Sequence, residues 1–210
     1  TPSTGAVAIT AATTTNIADT NGDITLYGTA TSQTGTTVKT ITSGDITVNG
    51  TLETKDQNGE DNDAKVGDVQ VLAAKGNIIL TNTGNDVVNS SNAALVQNSE
   101  GNIDVTGNVI GATTATLDGQ KGHVSLTGDL TANNGLAKIA ASDSEADNPQ
   151  NADTVGDITV KGNVTSAKAG VEISTSNGDI ALGTDTPSTG AVAITAATTT
   201  NIADTNGDIT

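Results

Sequence analysis

Short runs of alternating apolar and polar residues recur along the whole chain, and each run follows a glycine. The motif reads Gly, then Asp or Asn, then Ile or Val, any residue, then Leu or Val. It begins at Gly22, Gly44, Gly76, Gly101, Gly122, Gly156, Gly178 and Gly207, so successive motifs are offset by 22, 32, 25, 21, 34, 22 and 29 in the numbering. An alternation of period 2 predicts strands, and a repeat period in the twenties is typical of solenoids.

Each repeat contains two further apolar sites after the motif. The second site follows another glycine, as at Leu52 and Val109. The third sites are the pairs Val69 and Val71, Ala115 and Leu117, Val171 and Ile173, and Val192 and Ile194. Gly, Asn, Asp, Ser and Thr separate the sites, as in turns. We therefore predict an all-β fold, a right-handed parallel β-helix with three strands per coil, about 21–22 residues per coil, and three parallel sheets around one narrow core.

A longer repeat is superimposed on the short one. Residues 1–25 recur without a change at 186–210, and the seven glycine intervals together span the same offset, from Gly22 to Gly207. We expect residues 1–210 to form one continuous solenoid segment. Residues 1–185 are then one tandem unit of seven coils, and residues 186–210 start the next identical unit. Further copies of the unit would stack end to end through the same strand ladders.

Other folds fit the pattern less well. Gly, Thr, Asn and Val are weak helix formers, and no long stretch keeps a 3.6-residue period. A left-handed β-helix shows a tighter hexapeptide rule than these irregular intervals. An array of β-sandwiches remains an alternative, although sandwich strands seldom restate one Gly-Asp-Ile motif so regularly. The net charge of -16 would suit a disordered chain, but a disordered chain has no reason to alternate.

The amino-acid composition limits both the kind of core and the classes of binding partner that the chain can have. The chain has no Cys, Met, Trp or Phe and a single Tyr, so its core must be built from small aliphatic residues. Its eight basic residues against 24 acidic ones disfavour nucleic acid and anionic membrane surfaces. No run reaches the roughly 18 apolar residues of a membrane span. We expect neither nucleic-acid binding nor membrane insertion by this segment.

Two acidic insertions lengthen the repeats. The first, at about 53–66, falls between the second and third strands of its coil, and the second, at about 142–155, follows a third strand. Loops on a solenoid project outward, either as solvated spacers or as a binding face. A third insertion, mostly Thr, is expected near Thr198 to Ala203 and would extend a corner or a sheet.

Calcium is the best chemical candidate in the sequence, although no metal site is assigned. Asp19, Asn21 and Asp23 have an Asp-x-Asn-x-Asp spacing of hard oxygen ligands, and the spacing recurs in the second copy of the repeated stretch. Further candidates in the first acidic loop are Asp56, Asp61 and Asp63. The remaining positions of an EF-hand loop are absent, and an ordinary Asn-Gly turn is the competing interpretation.

The sequence contains no credible catalytic constellation or cofactor motif, so we do not expect an enzyme. His123 is the only histidine, and it occupies the position that Asp or Asn takes after the other corner glycines. No Gly-x-Ser-x-Gly elbow surrounds a serine. Ice binding would need Thr-x-Thr in every coil, and Thr29 and Thr31 form such a pair without a recurring column.

The GDITV-type coils, the Thr, Asn and Gly-rich surface and the absence of Cys resemble filamentous haemagglutinin-type adhesins of two-partner secretion, and autotransporter passenger domains. The resemblance implies a right-handed β-helix displayed outside the cell, on the surface of Gram-negative bacteria, in adhesion, biofilm formation or surface display. The expected function is a structural segment of a secreted fibre or stalk. The alternative is an adhesin module whose acidic loops contact calcium or a ligand of the cell surface or matrix.

Overall fold

The computed structural model describes residues 6–55, 67–142, 156–183 and 192–210. Within these residues the chain is all β, with nineteen strands and no helix, and every strand pairing within the sheets is parallel. The described residues contain no helix long and apolar enough to cross a membrane. The predicted all-β, parallel, solenoid-like arrangement is thereby confirmed.

The strands form two sheets, and the chain passes from the first sheet to the second and back in each repeat. The first sheet has eleven strands, with β1, β3, β5, β7, β9, β11, β14 and β17 in order and β12, β15 and β18 beside them. These strands are β1 (Val7–Ala11), β3 (Ile24–Ser32), β5 (Ile46–Thr54), β7 (Ile78–Ser90), β9 (Ile103–Gly111), β11 (Val124–Thr127), β12 (Leu130–Ala132), β14 (Ile158–Val160), β15 (Val164–Ser166), β17 (Ile180–Leu182) and β18 (Ile194–Ala196).

The second sheet has eight strands that follow the chain in order from one end of the stack to the other. They are β2 (Thr14–Asp19), β4 (Gly35–Thr40), β6 (Asp68–Ala73), β8 (Ala94–Asn98), β10 (Ala115–Gly119), β13 (Ala137–Ala141), β16 (Val171–Thr175) and β19 (Thr200–Asp204). Each strand pairs with the equivalent strand one repeat away, so the chain climbs one strand spacing, about 4.8 Å, per repeat.

The core consists of columns of equivalent side chains. The first apolar residue of each motif pairs with its counterpart in the next repeat, from Ile24 opposite Ile46 to Ile158 opposite Ile180. The column runs through Ile24, Ile46, Ile78, Ile103, Val124, Ile158 and Ile180, all buried. Residues that lie between the buried positions of a strand, such as Thr159 between Ile158 and Val160, face outward, as the alternation predicts.

Three parallel sheets were predicted, whereas the structure has two. In β3, β5 and β9 the expected first and second strands form one strand that bends at a glycine, for example Gly50 with φ 148°. Later repeats keep the two strands apart, as in β11 and β12. Because glycine tolerates positive φ, β5 turns this corner without breaking its ladder to β3, whereas its register against β7 shifts there. Both predicted faces therefore belong to one bent sheet.

The third-strand assignment of Val192 and Ile194 is wrong. Ile194 lies in β18 and pairs with Val164 of β15, which is a second-strand position. The third strand of this repeat is β19, where Ile202 pairs with Ile173. The predicted Thr-rich insertion at 198–203 is therefore wrong too, because most of it forms β19. The additional residues of this repeat lie instead between β17 and β18.

The flanks of the two acidic insertions agree with their predicted places. Residues 56–66 and 143–155 lie outside the described residues. The first segment follows β5 and precedes β6, and the second follows β13 and precedes β14. One further irregularity was not predicted: β7 is 13 residues long, and its register against β5 and β9 shifts between Thr81 and Val88. This bulge absorbs the additional residues of the interval from Gly76 to Gly101.

Candidate functional site

The corner glycines that begin each motif stack directly on one another. A Cβ placed on Gly44 would collide with the carbonyl oxygen of Gly22, and one on Gly76 would lie 2.5 Å from that of Gly44. The same close approach recurs between Gly207 and Gly178, where no positive φ requires glycine. Space between successive repeats, and not backbone conformation alone, therefore fixes glycine at this column.

The residues after these glycines form a ladder of side-chain to backbone hydrogen bonds, which we call the first Asx ladder. The Asp45 N–H donates to Asp23 Oδ1 at 2.9 Å, and the Asn77 N–H donates to Asp45 Oδ1 at 2.7 Å. The further members are Asn102, His123, Asp157, Asp179 and Asp208. Each Oδ1 that accepts in this way satisfies a corner N–H of the next repeat.

A second Asx ladder runs along the bend of the first sheet. The Asp129 N–H donates to Asn108 Oδ1 at 3.1 Å, and the Asn163 N–H donates to Asp129 Oδ1 at 2.8 Å. It ends with the Ala193 N–H, which donates to Asn163 Oδ1 at 3.0 Å. Both ladders join repeats to each other through the Oδ1 atoms of their Asp and Asn side chains.

His123 is a corner residue, as its position in the sequence predicts. Its backbone N–H donates to Asn102 Oδ1 at 3.1 Å, so the residue takes its place in the first Asx ladder. An imidazole has no Oδ1 with which to continue the ladder to Asp157 in the next repeat. Its Nε2 lies instead 3.2 Å from Asp104 Oδ1 on the outer face of the first sheet. The histidine interrupts the ladder and adds a surface contact.

A column of surface charges also bridges three repeats. Lys75 Nζ lies 3.0 Å from one carboxylate oxygen of Glu100, and Lys121 Nζ lies 3.5 Å from the other. The hydrogen bond and the charge of Lys75, helped by the charge of Lys121, lower the pKa of the Glu100 carboxyl. All three side chains are well exposed, so the pairs contribute little to stability.

Two of the calcium candidates that the structure describes, Asp19 and Asp23, accept hydrogen bonds from backbone N–H groups. Asp19 Oδ1 accepts the N–H groups of Asn21 at 3.0 Å and of Gly22 at 2.7 Å, which makes an Asx turn. Asp23 belongs to the first Asx ladder. The described residues contain no cluster of three or more His, Cys, Asp or Glu side chains that could hold a metal ion. The other candidates, Asp56, Asp61 and Asp63, lie outside the described residues.

A shallow groove of about 480 Å³ lies on the outer face of β2, β4 and β6. Its walls mix polar and apolar surface: Thr14, Asn16, Thr37, Lys39 and Gln70 line it together with Leu72. The carboxylate of Asp68, at the edge of the groove, already accepts hydrogen bonds from the Asn92 side chain and the Ala93 N–H. The groove offers hydroxyl and amide groups and one ammonium group, without an aromatic platform.

The two ends of the stack carry the two copies of the repeated segment. We call residues 6–25 the first copy and residues 192–210 the second copy. Each copy is covered by strands on one side only. The exposed fractions of Val7 and Ile209 are 51% and 50%, whereas the column inside the stack is buried. Within the described residues, β1 and β2 at one end and β18 and β19 at the other each have a neighbouring strand on one side only.

No family model, curated protein or solved structure matches this chain. The functional interpretation accordingly depends on the geometry itself, in which the conspicuous features are stacking ladders, tight glycine corners and open ends.

Proposed function

We propose that this chain is a repeat segment of a secreted fibre or stalk on the bacterial cell surface, in which stacked coils supply length and stiffness. The supporting observation is that the strand registers of the second sheet continue without a shift from the first copy to the second copy, which repeats its sequence. Ile17 pairs with Val38 at one end, and Ile202 pairs with Ile173 at the other. A further tandem unit would therefore continue the same ladders without a special junction.

The proposed fibre is a right-handed β-helix in coils of about 21–22 residues, where a coil is one repeat from one corner glycine to the next. The three predicted strands of a coil are separate in the later coils, and the first two are continuous in the earlier ones. Right-handed winding is supported by the near-universal handedness of crossover connections between parallel strands. The seven glycine intervals between Gly22 and Gly207 give seven coils per unit. At about 4.8 Å per coil, one unit adds roughly 34 Å to the fibre axis.

The chemistry of the polar residues supports a structural role. The Asp and Asn side chains of both Asx ladders bond to the backbone of neighbouring coils. The hydroxyl groups buried at the other corner also bond to backbone, since Thr54 Oγ1 donates to the Gly67 carbonyl at 2.7 Å. Extracellular display, adhesion and biofilm formation are what the resemblance to haemagglutinin-type adhesins supports. The net charge of -16 would keep neighbouring fibres apart.

An adhesin module is the second candidate, and the polar groove favours it. The groove includes Asp68 and Gln70 of β6, the strand that follows residues 56–66 along the chain. Deletion of residues 56–66 would abolish binding to host-cell or matrix material if this candidate is correct. If the chain is a pure stalk, this deletion should remove the loop and leave the function intact. Deletion of residues 143–155, within the insertion at 142–155, is the matched second deletion.

Electron microscopy of chains that contain one, two and four tandem units tests the proposed fibre. We expect straight threads of constant width whose length grows by roughly 34 Å for each unit. Particles that grow in all dimensions, or beads joined by flexible linkers, would contradict a continuous stack.

A further inference from the structure

Several asparagines of this chain are followed directly by glycine, a pair that can change covalently. The pairs within the described residues are Asn21–Gly22, Asn49–Gly50, Asn134–Gly135, Asn177–Gly178 and Asn206–Gly207, and one more, Asn58–Gly59, lies outside them. Glycine has no side chain to shield its main-chain nitrogen, so this nitrogen can approach the amide carbon Cγ of the preceding asparagine. The rate of that attack depends on what holds the glycine N–H and the asparagine side chain.

A carboxylate holds the glycine nitrogen in both copies of the repeated segment. The Gly22 N–H donates to Asp19 Oδ1 at 2.7 Å, and the Gly207 N–H donates to Asp204 Oδ1 at 2.9 Å. The nitrogen must lose its proton in order to attack, and here it would first have to give up a charge-assisted hydrogen bond. The carboxylate also disfavours a second negative charge beside it. Both pairs are therefore protected.

Close packing protects two further pairs. Asn49 and Gly50 lie inside β5 in unbroken register with β3, and a Cβ on Gly50 would collide with the carbonyl oxygen of Gly28. Gly178 lies between two other corner glycines: a Cβ on it would collide with the backbone of Gly156, and a Cβ on Gly207 would collide with its own carbonyl oxygen. In both places the main chain has little room for the rotation that brings Cγ to the nitrogen.

The pair Asn134–Gly135 differs from the other four in what holds it. It lies in the turn between β12 and β13, where Asn134 is exposed. Within the described residues the Gly135 N–H donates no hydrogen bond, and the Asn134 side chain makes a single neutral one, from Nδ2 to the Ala112 carbonyl oxygen at 2.7 Å. A Cβ on Gly135 would lie 3.0 Å from the Thr113 carbonyl oxygen, which is close but short of the collisions in β5 and at the corner.

We propose that Asn134 is a modification site of this chain, at which the side-chain amide is lost by deamidation. The Gly135 nitrogen gives its proton to a base in the solvent and forms a bond to Cγ of Asn134. The bond from Cγ to Nδ2 breaks, and the nitrogen takes up a proton and leaves as ammonia. Water then opens the resulting succinimide ring at one of its two carbonyl carbons, so the product is aspartate or isoaspartate.

The modification changes both charge and chain length at this turn. Each product carries a carboxylate, which adds one negative charge to the net charge of -16. Isoaspartate also leads the main chain through Cβ and so adds one carbon between β12 and β13. The Gly135 carbonyl oxygen accepts a hydrogen bond from Ser166 Oγ of the next coil at 2.8 Å. The longer turn therefore displaces a contact that joins two coils.

Peptide mapping of the folded chain after incubation in mildly alkaline buffer tests the site. Cleavage after lysine puts Asn21, Asn49 and Asn134 into different peptides, and fragment ions resolve Asn177 from Asn206, which share one peptide. Deamidation is measured as the mass gained when the amide becomes an acid, and isoaspartate by labelling with an isoaspartate-specific methyltransferase. A parallel incubation in urea gives the rates of the same asparagines without the fold.

In the folded chain we expect Asn134 to deamidate about tenfold faster than Asn21 and Asn206, the factor that one charge-assisted hydrogen bond supplies. Asn49 and Asn177 should also be slower than Asn134, and the five rates should converge in urea. Equal rates in the folded chain, a faster rate at another of these asparagines, or deamidation of Asn134 in urea alone would each overturn the proposal.

The variant Asp19→Ala tests the reason for the difference, and the chain supplies its own control. The substitution removes the acceptor of the Gly22 N–H in the first copy, whereas Asp204 keeps the equivalent bond in the second copy. We expect Asn21 to deamidate faster than Asn206 in this variant, with the rate at Asn134 unchanged. Circular dichroism verifies that the variant retains its β structure. Equal rates at Asn21 and Asn206 would contradict protection by the carboxylate and the ranking that follows from it.

Discussion

The first and second copies have the same sequence but differ in what their side chains experience. Thr15 of the first copy is buried beneath β4, and its equivalent in the second copy, Thr200, is exposed. Conversely, Val7 is 51% exposed, and its equivalent Val192 is partly covered. Burial in this molecule is therefore a property of a coil together with its neighbours, as expected for a one-dimensional stack.

The largest effect should come from a charge inside a covered column. Ile158→Asp puts a carboxylate between Val124 and Ile180 with no partner, and should lower the free energy of unfolding by about 4 kcal/mol. Ile209→Asp changes the end of the same column, where the side chain is half exposed, and should cost less than about 0.5 kcal/mol. Urea unfolding measures the free energy of unfolding of both variants. Similar costs for the two would contradict a buried column of apolar side chains.

The second-largest effect should come from adding a methyl group at a corner glycine, and it should differ between the two copies. Gly207→Ala would drive its Cβ into the carbonyl oxygen of Gly178, whereas the Cβ of Gly22→Ala would meet only the Asp19 carboxylate at 3.1 Å. We expect Gly207→Ala to loosen the second copy by about 2 kcal/mol. Hydrogen exchange should show faster amides in β19, with β2 unchanged by Gly22→Ala. Equal effects would mean that the corner glycines serve only local conformation.

Removing one rung of the first Asx ladder should have a smaller effect. Asp45→Ala leaves the Asn77 N–H without its acceptor and should cost about 1 kcal/mol. Asp208→Ala removes the equivalent side chain at the open end, where no coil lies above it, and should be nearly neutral. Thermal unfolding of the two variants checks the difference, and a neutral Asp45→Ala would show that the ladder adds nothing.

The smallest effect should come from the surface charges. Because Lys75 and Lys121 lower the pKa of the Glu100 carboxyl, the ion pairs stabilise the fold above the ordinary carboxyl pKa. This stabilisation is lost as the pH falls through the lowered pKa. Since the groups are exposed, Glu100→Gln should leave the Tm at pH 7 within the error of calorimetry. A large loss of Tm would contradict this expectation and would mean that the ion pairs of Lys75, Glu100 and Lys121 hold the coils together.

The sequence predicts the inward columns well, because alternation and glycine spacing act on every coil in the same way. It does not predict which sheet a strand joins. The runs around Ile194 and Ile202 both alternate with period 2, and only their pairing with β15 and β16 distinguishes a second strand from a third. The bend at Gly50 likewise leaves two predicted strands in one sheet, because hydrogen bonding continues through the corner.

The Asx ladders show why the roles of polar residues were only partly predictable. Asp19 and Asp23 belong to one short sequence pattern, yet Asp19 caps its own turn and Asp23 serves the next coil. Both roles use the same chemistry, an Oδ1 that accepts a backbone N–H. Only the position of the next coil decides between them. The recurrence of Asp or Asn after each corner glycine was the available signal for the first ladder.

X-ray diffraction from oriented fibres of the tandem array tests the stacked coil most directly. We predict a meridional reflection at about 4.8 Å, since the strands cross the fibre axis, together with a layer-line repeat of roughly 34 Å from seven coils per unit. A strand-spacing reflection on the equator, or a unit repeat unrelated to seven strand spacings, would contradict it.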